Sequence, residues 1–199
     1  MTLPNRITLG RLVLALVLFV LLAFAEQGGG RDLPLLVGSF LLFIVVAATD
    51  ALDGYYARKL HLTSDFGRMA DPAVDKILVC GSLIFLAAAS WARPVLAPWM
   101  VVAIVAREFI VTGLRGYIES LGVRFPADWS GKLKMILQCI AVPGVLLYRI
   151  AERAVPNVEW AVDGMLWLAR VIVWLTIALT IWSALDYVSK ATRIVRERR

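Results

Sequence analysis

Four aspartates, Asp50, Asp53, Asp71 and Asp75, lie where a lipid-facing chain should be short of charge. They fall in the stretch DALDGYYARKLHLTSDFGRMADPAVD, preceded by SFLLFIVVAAT and followed by ILVCGSLIFLAAA. A carboxylate at the hydrocarbon centre costs about 2.5–3.5 kcal/mol, and less near a span end, so four together need an offset. On a helix, Asp50, Asp53, Gly54 and Ala57 share one stripe, while Asp71 and Asp75, four apart, share another. A loop of roughly Lys59 to Phe66 folds the second stripe against the first, and bare carboxylates gathered in this way repel one another. Ligands that are all oxygen select hard cations: Mg²⁺, Mn²⁺ or Ca²⁺. Two such ions would neutralise the cluster. Paired ions about 3.5–4 Å apart also clamp a diphosphate and align attacking and leaving oxygens. Gly54 and Ala57 leave room for a bulky headgroup, and Arg58 can fork onto phosphate oxygens. The bland alternative is four unrelated surface acids paired with Arg58, Lys59, Arg68 and Lys76. Two pairs bracketing one short loop argue against it.

A second set is basic. Arg107 and Arg115 are eight apart and project within one half of a helix, embedded in otherwise apolar sequence where a charge needs a partner. Glu108 or the aspartates could supply one. Lys132 and Lys134 differ by about 200° around a helix, so both cannot face one pocket. A neutral polar ligand would not need such a collection, whereas one carrying its own phosphate would. His61 is alone in a polar loop. Cys80 and Cys139 lie within apolar runs and read as packing residues rather than a disulfide or metal site.

The elements that must hold these residues are membrane helices. Of 199 residues 60% are hydrophobic and 18% charged, against roughly 45–50% and 25% in soluble domains. Apolar runs near the length needed for a core of about 30 Å recur at Ile7–Ala25, Leu33–Thr49, Ile77–Ala92, Val95–Val111, Met135–Ile150 and Val171–Tyr187. Strands of a barrel would alternate polar with apolar, so an all-α polytopic protein of six transmembrane helices is expected, as one domain over residues 1–199. The first run lacks a small-residue cleavage site and reads as a retained helix. Pro72 requires the third helix to begin no more than a turn before it. Glu152–Arg170, with Trp160 and Trp167, is too polar to span and is expected as an interfacial segment. Sixteen lysines and arginines fall on the side of the termini and five on the other, which makes both termini cytoplasmic. The net charge of +6 is thereby a topology signal and an anionic-lipid contact rather than a nucleic-acid surface.

The two aspartate pairs also carry a resemblance. Asp50, Asp53, Gly54, Ala57 and Arg58, then eight residues, then Gly67, Asp71 and Asp75, match every fixed position of the signature of the CDP-alcohol phosphatidyltransferase family. The resemblance implies a six-helix, usually dimeric membrane enzyme that cleaves a CDP-linked lipid or alcohol and releases CMP. It implies two divalent ions, Mg²⁺ above all, held by Asp50, Asp53, Asp71 and Asp75, with Asp75 also the general base. Asp50, Asp53, Gly54, Ala57, Arg58, Gly67 and Asp71 would line the cytidine diphosphate. The N-terminal LPNRITLGR, with Pro4, Asn5, Thr8 and Arg11, is similar to the bacterial phosphatidylglycerophosphate synthase branch of that family. So is the later set Arg107, Glu108, Gly113, Leu114, Arg115, Gly131, Lys132, Lys134 and Gln138. Met135 departs from that branch, which usually has threonine there. The branch implies CDP-diacylglycerol and glycerol 3-phosphate as substrates, a multi-pass bacterial plasma-membrane protein, and a site facing the cytoplasm. The acceptor phosphate would fall to Arg107, Arg115 and Lys132, with Lys134 or Arg11. The competing expectations are the same transfer to inositol phosphate or serine, and a divalent-cation transporter that uses the aspartates as its ion site.

Overall fold

The apolar runs fold as six α-helices in a computed structural model that describes residues 3–26, 32–60, 65–123 and 129–196. Side chains are described for 8–25, 32–49, 73–123, 129 and 131–196. In chain order the helices are α1 (Leu3–Glu26), α2 (Asp32–Leu60), α3 (Asp65–Ala88), α4 (Pro98–Ser120), α5 (Trp129–Ala154) and α6 (Glu159–Arg196). No strand occurs among the described residues. Among the described residues, four helices, α1, α2, α5 and α6, are long and apolar enough to cross a membrane. Large apolar side chains face outward along them, including Val13, Leu16, Val20, Leu41, Val45, Trp174 and Leu185. In water such a surface would be a liability; in lipid it is the expected exterior.

The helices bury the remaining faces against each other. α1 packs on α2 and α3, α5 runs along α6 and also meets α2 and α3, and α4 bridges α3 and α6. The core holds Leu18, Leu36, Phe43, Leu83, Ile104, Val142 and Leu146. Since lipid offers apolar groups as good a home as a neighbouring helix, small residues that allow close approach matter more here than bulk. Gly81 is the clearest case: a Cβ built there would stand 2.2 Å from the tip of Phe19, whose ring stacks on Phe85 at 5.3 Å.

Two helix boundaries differ from the sequence expectation. α3 begins at Asp65, so Pro72 lies well inside it rather than within its first turn. A proline forfeits one i→i−4 bond yet has a helical φ, and packed membrane helices tolerate it; α5 carries Pro143 in the same way. Nor is Glu152–Arg170 a separate interfacial segment. α5 reaches Ala154, a tight turn closes through Val158 N–H to Val155 O at 3.0 Å, and α6 runs unbroken from Glu159 for 38 residues. At 1.5 Å per residue α6 is about 57 Å long, nearly twice the hydrocarbon thickness, so its polar first turns can lie outside the core.

Candidate active site

The aspartate pairs sit on two long helices. α2 continues past the apolar run to Leu60 and so carries Asp50, Asp53, Gly54, Ala57 and Arg58, and α3 carries Gly67, Asp71 and Asp75. The side chains of Asp50, Asp53, Ala57, Arg58 and Asp71, with that of Asn5 on α1, lie outside the described residues. Among the described residues no group of three or more metal-ligating side chains occurs. Asp75 is described and half-buried: its Oδ1 takes an ion pair from Nη2 of Arg11, a buried arginine of α1. Thr8, one turn before Arg11, is buried too. Among the described side chains the N-terminal set is thus joined to the aspartate set, and Arg11 reaches the carboxylate rather than the basic residues of α4 and α5.

Those form a separate buried cluster. Arg107 and Glu108 on α4 and Lys134 on α5 are 7%, 8% and 4% exposed. Glu108 Oε1 accepts from Lys134 Nζ and from Arg107 Nη1, the latter at 3.3 Å. Two cations share one carboxylate, which leaves an excess positive charge in a place where an unpaired charge is costly. Arg107 also donates Nη2–H to Ser183 Oγ on α6 at 2.5 Å, and its guanidinium lies 5.5 Å from the centre of the Tyr187 ring. Its Nε is buried without a hydrogen-bond partner among the described residues. Gln138, one turn beyond Lys134 on the same face of α5, is buried, and its Nε2 likewise has no partner there.

The other two basic candidates are elsewhere. Arg115 is 39% exposed and pairs with Glu119 one turn on at 3.6 Å. Lys132 is exposed, which agrees with the 200° separation from buried Lys134. Ser183 and Tyr187 escaped the sequence reading, although a signal existed: Thr176, Thr180, Ser183 and Tyr187 recur at spacings of four, three and four and are all buried on one face of α6.

Below this cluster, a groove of about 490 Å³ runs between α1, α3 and α4, lined by Phe19, Ile77, Cys80, Gly81 and Phe109 with Lys76, Glu108 and Thr112 as its polar groups. Lys76 donates to Thr112 Oγ1, which ties α3 to α4 next to Asp75. Cys80 and Cys139 are not joined in a disulfide, and each is half-buried.

A lipid-facing helical bundle that buries Arg107 and Lys134 around the single carboxylate of Glu108 is suited to holding an anionic group. The family model for CDP-alcohol phosphatidyltransferase matches residues 1–182. The chain is 38% identical over 198 residues to the CDP-diacylglycerol–glycerol-3-phosphate 3-phosphatidyltransferase of Bacillus subtilis, covering 94% of each chain. It is 32% identical to CDP-diacylglycerol–glycerol-3-phosphate 3-phosphatidyltransferase 2 of Arabidopsis thaliana, covering 99% of this chain and 82% of that one. A Haemophilus influenzae protein of the same name as the Bacillus one is 30% identical, over 76% of this chain and 75% of its own. The chain belongs to the CDP-alcohol phosphatidyltransferase family.

Proposed function

We propose that this chain transfers a phosphatidyl group from CDP-diacylglycerol to sn-glycerol 3-phosphate, giving phosphatidylglycerophosphate and CMP. The observation that carries the choice of acceptor is the buried Arg107–Glu108–Lys134 cluster, whose net charge is positive before any ligand enters. A phosphate brings the missing anion; the hydroxyl of serine would not. Arg107 and Lys134 therefore hold the acceptor phosphate, with Arg115 and Lys132 as outlying attractors on the approach. The matching names of several relatives support the same substrates.

In the reaction, the free hydroxyl of the acceptor gives its proton to Asp75 as its oxygen forms a bond to the lipid-side phosphorus. The bond from that phosphorus to the CMP oxygen breaks, and CMP leaves. Arg11 holds the Asp75 carboxylate in place, and Thr8 and Asn5 support the α1 end that carries it. Gly54, Ala57, Arg58 and Gly67 accept the cytidine diphosphate. The donor set of Asp50, Asp53, Asp71 and Asp75, all oxygen, fits two hard divalent ions, Mg²⁺ or Mn²⁺. When bound, such ions supply charge neutralisation at the diphosphate and stabilise the departing oxygen. The groove between α1, α3 and α4 gives an acyl chain an apolar route to the bilayer. The protein is one domain over residues 1–199 with six membrane-crossing helices, both termini and the site facing the cytoplasm of a bacterial plasma membrane, and it works as a homodimer.

The test is CMP release from CDP-diacylglycerol by purified protein with glycerol 3-phosphate, inositol phosphate or serine in turn. Release with glycerol 3-phosphate, and a product that carries two phosphates, is expected. Release with serine or inositol phosphate instead would overturn the acceptor. Metal flux into proteoliposomes without CMP would favour a transporter.

A further inference from the structure

The proposed acceptor cluster draws its charges from α4 and α5, but the groups that orient it come from α6. We propose that Ser183 and Tyr187 are positioning residues: they fix the Arg107 guanidinium so that its Nε–H edge is offered, already dehydrated, to the acceptor's phosphate. The proposal rests on Arg107 being a ligand of that phosphate. Arginine has many rotamers to lose when it grips an anion, so a guanidinium ordered beforehand binds more tightly than one ordered by the ligand.

Three contacts do the ordering. Nη2 donates to Ser183 Oγ at 2.5 Å, Nη1 lies 3.3 Å from Glu108 Oε1, and the Tyr187 ring lies under the guanidinium at 5.5 Å. Ser183 is wholly buried and Tyr187 4% exposed, so neither group is there to meet water. Elsewhere on the same face of α6, Thr176 spends its hydroxyl on its own helix, donating to Ile172 O at 2.8 Å; the Ser183 oxygen receives Arg107 instead. The N–H on Nε is buried and has no partner among the described residues. Buried donors of folded proteins are nearly always paired, and one left open beside excess positive charge is what an anion site presents before its ligand arrives. Gly131 completes the seat. A Cβ there would lie 3.5 Å from Tyr187 Oη and 3.9 Å from Arg107 Nη2, in ordinary contact with the pair.

The experiment measures initial rates of CMP release by the purified full chain, varying glycerol 3-phosphate at saturating CDP-diacylglycerol and the reverse. Ser183→Ala should raise the KM for glycerol 3-phosphate roughly tenfold, the loss typical of one hydrogen bond to a charged group, and leave the KM for CDP-diacylglycerol unchanged. Ser183→Thr, which keeps the hydroxyl, should restore it. Tyr187→Leu should raise the same KM about threefold and Tyr187→Phe, which keeps the ring, should not. A KM for glycerol 3-phosphate within twofold of wild type in Ser183→Ala would overturn the proposal. So would a rise in both KM values accompanied by a fall in thermal stability, the mark of simple packing loss. If Ser183→Ala does not fold, the Leu and Phe variants of Tyr187 decide on the same criteria. A second readout is independent of the acceptor assignment: protection of the purified protein from heat by inorganic phosphate. Weaker protection of Ser183→Ala than of wild type supports the positioning role even if wild type proves to use another acceptor, and equal protection overturns it.

Discussion

The two ends of the helix bundle handle charge in opposite ways. Between the middle of α4 and the first turns of α5, Arg107, Glu108 and Lys134 are sealed from solvent, and two cations divide one carboxylate. At the end where α5 finishes, three arginines each reach a separate partner. Arg149 Nη1 meets Glu152 Oε2 at 2.5 Å, Arg153 Nη2 meets Asp32 Oδ2 at 2.6 Å, and Arg170 Nε donates to Pro94 O at 3.0 Å. Tryptophans back two of these, Trp91 under Arg149 at 5.4 Å and Trp167 under Arg170 at 5.6 Å. Most of those groups also reach water, with Arg153 42% exposed. One end is balanced and closes the bundle. At the other, among the described residues, two cations share one carboxylate, an arrangement that an added anion would stabilise.

The difference can be broken from either side. The largest effect is expected from Asp75→Asn, which removes the proposed proton acceptor: CMP release should fall by about a thousandfold while helix content by circular dichroism is unchanged. Arg107→Ala should raise the KM for glycerol 3-phosphate by roughly a hundredfold, since charge-assisted bonds to phosphate exceed ordinary ones; initial-rate kinetics with each substrate varied in turn checks this. Glu108→Leu leaves Arg107 and Lys134 buried without their shared anion and should cost about 3 kcal/mol, read as a lower melting temperature that added phosphate partly restores. At the balanced end, Arg153→Gln takes the ion pair from the buried Asp32 carboxylate and should lower the melting temperature, with KM and kcat unmoved. Lys132→Ala, exposed on α5, should raise the KM for glycerol 3-phosphate only slightly. Equal effects at both ends would erase the comparison.

Much of this architecture was legible in the sequence. The apolar runs located the helices because hydrophobic length is the strongest signal in a membrane chain. The angular separation of Lys132 from Lys134 separated a buried lysine from an exposed one. The uninterrupted course of α6 through Glu159–Arg170 was less legible, because polarity was weighed against spanning while a helix longer than the bilayer can carry polar turns outside it. The ion pair of Arg11 with Asp75 was not legible, because linear spacing cannot reveal a contact between residues on α1 and α3. Ser183 and Tyr187 were overlooked for a similar reason. A hydroxyl in an apolar helix reads as ordinary until the helix opposite is known to bring an arginine against it.

The central claim is that the aspartate hairpin of α2 and α3 works through divalent cations on a diphosphate. The most direct measurement is a Mg²⁺ titration of CMP release by chelator-stripped protein, wild type beside Asp50→Asn. The account predicts no release without metal, full recovery in wild type on adding Mg²⁺, and a midpoint for Asp50→Asn displaced to higher Mg²⁺. Release that persists in excess chelator, or two titrations that superimpose, would contradict it.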